Sequence, residues 1–205
     1  MSPFEDLEEM FRMLPGIGPK QAKRFAYFLA RQSPSFLSKL GQHIEDLKEN
    51  IAVCHECFRI FSKNRGQEKV VCRTCLDTSR DRSTLLVVPR DSDFLHIESS
   101  GAYKGIYFLM GNTLSVLDEA PEKKIRLREL HAHIKKLAPT LSEIILASDL
   151  TPDGDYTIEW LSQELKKNFP HLKISSLGRG LSTGTELEYA DPETLKNAIL
   201  GRKVV

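Results

Sequence analysis

Residues 54–75 read "CHECFRIFSKNRGQEKVVCRTC", and this stretch holds all four cysteines of the 205-residue chain. Two C-x-x-C pairs, Cys54 with Cys57 and Cys72 with Cys75, stand fourteen residues apart. Each pair turns two sulfurs toward one point, and four thiolates complete the closed tetrahedral shell of a structural zinc site. Paired disulfides or a redox C-x-x-C are the rival reading, and a cytosolic setting disfavours them. No cysteine is left over for catalysis, and His55, inside the first knuckle, is expected to be an exposed bystander. The intervening "FRIFSKNRGQEKVV" predicts two short strands around an Asn64-Arg65-Gly66 turn, a zinc ribbon. A segment this short has little core of its own, so metal binding would supply on the order of 10 kcal/mol of its folding energy. Arg59, Lys63, Arg65, Lys69 and Arg73 form a basic face, solvated or in contact with phosphate.

Upstream, the texture is helical. Phe4, Leu7, Phe11 and Leu14 recur at helical spacing and predict a helix from Pro3 to Met13. "LPGIGPKQAKR", residues 14–24, then places two glycines and two prolines in five residues before a second helix begins. That helix has Ala22, Phe25, Ala26 and Leu29 on one face and Lys20, Lys23, Arg24, Tyr27 and Arg31 on or beside the other. Cations at a helix N-terminus oppose the dipole unless something negative sits in front of them, and phosphate is the natural candidate. By pattern alone, a tight helix–helix turn with a solvated basic face fits equally well. A third helix carries Leu37, Leu40, Ile44, Leu47 and Ile51 in register, to close this small domain or to meet another copy.

Downstream, strands alternate with helices. "TLLVV" (84–88), "GIYFLM" (105–110), "EIILA" (143–147) and "LKISSL" (172–177) are expected strands, with helices over Leu127–Leu137 and Thr157–Lys167. This alternation predicts a parallel sheet covered on both faces, with function at the strand C-termini. After the third of these strands, Asp149, Asp153 and Asp155 offer carboxylates for Mg²⁺, or Asp153 or Asp155 caps the next helix. The loop "GRGLSTGTE" (178–186) fits no nucleotide-binding pattern. The six histidines are scattered and suggest no catalytic triad.

Composition excludes several classes. With 40% apolar residues the chain can build a core, and its net charge of +1 gives no global pull toward nucleic acid. The charge distribution does, because residues 15–31 hold four cations and no acid. The acidic start "MSPFEDLEEMF" lacks the features of a targeting peptide, and the apolar runs are strand-sized. A soluble cytoplasmic protein with no membrane contact is expected.

The segment "LPGIGPK" resembles the helix-hairpin-helix of DNA repair proteins, which grips the sugar-phosphate backbone without reading sequence. Together with the paired C-x-x-C, "LLVV", "GNTLSVLD", and the tail's "GRGL", "LEYAD" and "GRK", it makes the whole chain resemble the RecR family of bacterial recombination mediators. The resemblance implies an α+β multidomain architecture: a helix-hairpin-helix domain over 1–53, a four-cysteine zinc finger over 54–75 and a Toprim-like parallel α/β domain over 83–178. A C-terminal glycine loop and helix over 179–205 would serve as an oligomer contact. It further implies a non-catalytic, nucleoid-associated protein that forms rings on DNA. With RecO-like and RecF-like partners, such a protein promotes recombinase loading at single-stranded gaps. Carried over, Gly16, Gly18, Lys20, Lys23 and Arg24 line the DNA path, and Cys54, Cys57, Cys72 and Cys75 bind structural zinc. Two features depart from the family. The gap between knuckles is long, and the first Toprim strand ends in Pro89, where Toprim enzymes carry a glutamate. Proline can neither move a proton nor bind a metal, so Asp149, Asp153 and Asp155 would be at most a vestigial Mg²⁺ site. The alternative is a Mg²⁺-dependent Toprim nuclease or nicking enzyme using those aspartates.

Overall fold

The computed structural model describes residues 2–63, 70–181, 184 and 186–202, with the side chains of Lys48 and Glu193 left out. The chain divides into two compact units, residues 1–52 with 62–66 and residues 53–61 with 67–205.

In the first unit, α1 (Pro3–Arg12) opens on a reciprocal cap: the Ser2 hydroxyl accepts from Glu5 N–H, and the Glu5 carboxylate accepts from Ser2 N–H. The second helix, α2 (Pro19–Ala30), packs against α1 through its small residues. Ala22 and Ala26 are the fully buried side chains among the described residues of this unit. Aromatic pairs flank them, Phe4 with Tyr27 and Phe11 with Phe25, at centroid distances of 4.8 and 5.7 Å. The third helix, α3 (Pro34–Asn50), is capped by Ser33, whose hydroxyl accepts from Phe36 N–H. Its apolar stripe is largely uncovered, with Ile44 59% and Leu47 55% exposed, and Ile51 has left the helix.

Ile51 instead begins β1 (Ile51–Val53), which pairs with β2 (Ile60–Ser62) in a two-stranded ribbon. This differs from the expected hairpin about residues 64–66. The turn itself lies outside the described residues, and Val70 and Val71 beyond it are not in a strand. The strand preceding the first knuckle is the partner of β2.

In the second unit a short helix, α4 (Arg73–Leu76), carries the last cysteine and is followed by β3 (Asp81–Val88), α5 (Asp91–Ser100) and β4 (Gly105–Leu109). Next come α6 (Leu127–Leu137), β5 (Glu143–Leu146), α7 (Pro152–Asn168), β6 (Lys173–Ser176) and α8 (Pro192–Leu200). The four strands form one parallel sheet in the order β4-β3-β5-β6, with Leu85 level with Ile106 and Ile144, and Ile144 level with Ile174. The order reverses between β3 and β5, so the crevice of this open sheet lies beyond their C-terminal ends.

Each face of the sheet has its own core, as the alternation of a two-sided buried strand requires. Leu85, Val87, Ile106, Phe108, Ile144 and Leu146 pack with Leu130 and Ile134 of α6 and Leu161 and Leu165 of α7. On the other face Leu86, Val88, Tyr107 and Leu109 pack with Phe94 of α5 and with Cys54, Cys57 and Cys72. The cysteine segment therefore acts as part of the cover of the sheet.

Candidate functional site

The hairpin is open to its surroundings. Gly16 sits at φ +77°, the left-handed conformation that favours glycine, and no atom comes within 4 Å of where a side chain at Gly16 or Gly18 would begin. Gly18 is the N-cap of α2, with no side-chain cap and no acid in the first turn of the helix. Lys20, Lys23 and Arg24 are all exposed, and Arg24 reaches only as far as Gln21 Oε1, at 3.5 Å. An uncapped helix start flanked by cations and smoothed by two glycines presents N–H groups and positive charge to whatever approaches.

The four cysteines converge, all sulfurs lying within 4.8 Å of one another. Cys57 Sγ and Cys72 Sγ stand 3.7 Å apart. Four sulfurs about 2.3 Å from a central Zn²⁺ would be roughly 3.8 Å from each other, so the dimensions fit. Backbone geometry sets them there: Cys72 N–H donates to Cys54 Sγ at 3.3 Å, Cys54 N–H to Arg59 O at 2.9 Å and His55 N–H to Val70 O at 2.9 Å. Hydrogen bonds from Cys57, Cys72 and Cys75 pull the Cys54 thiol far down. Contacts with Cys54, Cys72 and Cys75, together with burial, push the Cys57 thiol up. A metal bound there would expel the protons that the thiols hold. His55 is exposed, as expected.

The knuckles are anchored to the sheet. Leu109 N–H donates to Cys57 O at 2.8 Å. Phe58 adopts φ +63°, unusual for an aromatic residue, and lays its ring 5.3 Å from Phe108. The Arg59 guanidinium lies 4.3 Å over the Phe94 ring. Glu56 binds Lys136 of α6 and lies 3.7 Å from His133 Nδ1.

At the carboxyl edge of the sheet, Pro89 follows β3 and Arg90 caps α5. The Arg90 guanidinium lies 3.2 Å from Asp149 Oδ2 and 3.4 Å from the Thr113 hydroxyl. The Asp-Gly-Asp stretch, expected as a loop, is the first turn of α7, which starts five residues earlier than the apolar periodicity predicts. Thr151 caps that helix, its hydroxyl accepting from Gly154 N–H at 3.1 Å, so neither Asp153 nor Asp155 is the cap. Asp155 pairs with Arg179 and Asp153 is exposed. Asp149, Asp153 and Asp155 do not converge on one point: among the described residues, the cysteines are the one group of three or more such donors that does. Sequence reasoning missed Arg90, Thr113 and Arg179. The available signal was a basic residue just beyond two strands of the same parallel sheet.

The fold and its two sites define a helix-hairpin-helix protein fused to a Toprim domain, with a four-cysteine cluster of the dimensions a metal would need. Residues 4–48 match the family description "RecR, helix-hairpin-helix", residues 83–177 the Toprim domain and residues 180–203 "RecR, C-terminal". The chain is 36% identical over 202 residues to the "Recombination protein RecR" of Chloroflexus aurantiacus, covering 98% of this chain and 94% of that one. It is 33% identical to the proteins of the same description from Saccharopolyspora erythraea, over 203 residues, and Rhodococcus jostii, over 205, covering 99% of this chain and 98% of each relative. The chain belongs to the RecR family.

Proposed function

We propose that this protein is a non-catalytic mediator of recombinational DNA repair, which holds DNA by its backbone and acts with RecO-like and RecF-like partners to promote recombinase loading at single-stranded gaps. The observation that carries the reading is the exposed glycine hairpin leading into an uncapped, acid-free helix start beside Lys20, Lys23 and Arg24. Uncapped N–H groups and neighbouring cations match a phosphate rail. The partners and the loading step rest on family membership.

The cysteine cluster binds Zn²⁺ as a structural ion, since four thiolates leave no open position for chemistry. A catalytic role is disfavoured by Pro89, which offers neither proton nor metal ligand at the strand end where Toprim enzymes use a glutamate. The uncovered stripe of α3 and the exposed Ile199 and Leu200 of α8 supply faces for assembly into a homo-oligomeric ring. No helix among the described residues is long and apolar enough to cross a membrane.

The test is single-stranded DNA binding as a function of salt, for the chain and for a Lys20→Ala/Lys23→Ala/Arg24→Ala variant. Losing three phosphate contacts should reduce the slope of log K against log salt by about 2, at roughly 0.7 per contact. An unchanged slope and affinity would remove the hairpin from the DNA path. Incubating supercoiled plasmid with Mg²⁺ or Mn²⁺ should yield no nicked product; nicking that disappears in Asp153→Ala would favour the nuclease.

A further inference from the structure

Toprim enzymes hold Mg²⁺ at the carboxyl edge of the sheet, and the donors this chain places there do not fit that ion. Octahedral Mg²⁺ is held by one or two carboxylates with water or phosphate oxygen filling the other positions, so it needs a carboxylate there that no other group already engages. Pro89 contributes no donor. Asp91 Oδ1 accepts from Ile60 N–H at 2.7 Å, which ties it to β2, and Asp93 Oδ2 accepts from Arg90 N–H at 3.0 Å, at the start of α5. Asp155 is paired with Arg179. Asp153 is exposed and does not converge with the other carboxylates. At Asp149 a guanidinium already faces the carboxylate.

We propose that Arg90 is the built-in counter-ion of Asp149 and stands in place of a divalent cation at the switch point of this sheet. Its geometry suits the role. Arg90 follows β3, Thr113 follows β4 and Asp149 follows β5, so one side chain reaches from the end of the central strand to groups beyond both of its neighbours. Asp149 is held from behind, because a side-chain carbon at Gly154 would collide with the Asp149 carbonyl; the first turn of α7 is packed directly on its backbone. The two side chains are 52% and 43% exposed, so the pair is wet and a competing ion can reach it. A guanidinium neutralises one charge with directed hydrogen bonds, but it has no coordination position for water or phosphate oxygen. The edge is thereby electrically complete without metal, independently of how the hairpin meets DNA.

Mn²⁺ titration of the zinc-loaded full-length protein, followed by the loss of the free-ion paramagnetic resonance signal, tests this. The unmodified chain should show no saturable Mn²⁺ site in the millimolar range. Arg90→Ala should gain one, tighter by at least about tenfold, since it removes a positive charge about 4 Å from a dication. Adding Asp149→Asn should abolish the gain, and Arg90→Lys should remain silent. The proposal is overturned if the unmodified protein binds Mn²⁺ at a site that Asp149→Asn removes, or if Arg90→Ala is as silent as the parent. Neither result bears on the hairpin, because no DNA is present.

Discussion

Removing the metal proposed for the four-cysteine centre should unfold the Toprim sheet together with the ribbon. A free-standing finger would release its ion and leave its neighbour intact. Here Cys54, Cys57 and Cys72 belong to the same core as Leu86, Val88, Phe94 and Tyr107, while Phe58, one residue past the knuckle, packs on the opposite core. A structural zinc contributes about 10 kcal/mol or more, against roughly 5–15 kcal/mol for a whole domain. Losing even about 5 kcal/mol would lower the melting midpoint by roughly 10–20 °C in a chain of this length. Trp160, the single tryptophan, lies on α7 and packs against the far core, so its fluorescence reports the sheet and not the cysteines. Scanning calorimetry and Trp160 emission should therefore shift together as a chelator strips the ion. Cys57→Ser, at a buried thiol, should do more damage than Cys75→Ser at a half-buried one. A fully demetallated protein with unchanged midpoint and emission would refute the shared core.

Two further outcomes are expected. Gly154→Ala drives a methyl group into the Asp149 carbonyl and should cost about 1–3 kcal/mol, visible as a fall in melting midpoint; an unchanged midpoint would contradict the packing of α7. Burial holds the His133 imidazole below its ordinary pKa despite the opposing pull of Glu56. The unfolded chain thus takes up this proton first on acidification, and stability falls as the pH drops below about 6.5. Urea unfolding at pH 7.5 and 5.5 should show a smaller acid loss for His133→Gln, and equal losses would exclude the residue.

What the sequence made legible follows from how local each signal is. Three of the four sheet strands announce themselves as the continuous apolar runs "LLVV", "GIYFL" and "IIL", whereas the edge strand β6, "KISS", is exposed at both ends. The cysteine pairs need only their spacing. The hairpin needs only Gly16 and Gly18 between two amphipathic stretches. By contrast, α5 was not foreseen, because "DSDFLHIESS" buries one residue fully, Phe94, and shows little periodicity. The start of α7 was masked by Gly154, a poor helix former whose presence is explained by its contact with Asp149. The pairing of β2 with the strand before Cys54 was not foreseen, because short strands carry no register information. The Arg90–Asp149 and Arg179–Asp155 pairs depend on which strands are neighbours, a fact of topology that one chain's residues do not encode locally.

The bond from Leu109 to the carbonyl of Cys57 has one more consequence. As an outermost strand among the described residues, β4 is buried at every position from Gly105 to Leu109, and at Leu109 the first knuckle screens it. Zinc starvation or thiol oxidation would strip that screen and offer a short, wholly apolar ribbon for pairing between molecules. Loss of the metal proposed for the cluster should therefore be followed by association between molecules, read as a rise in light scattering.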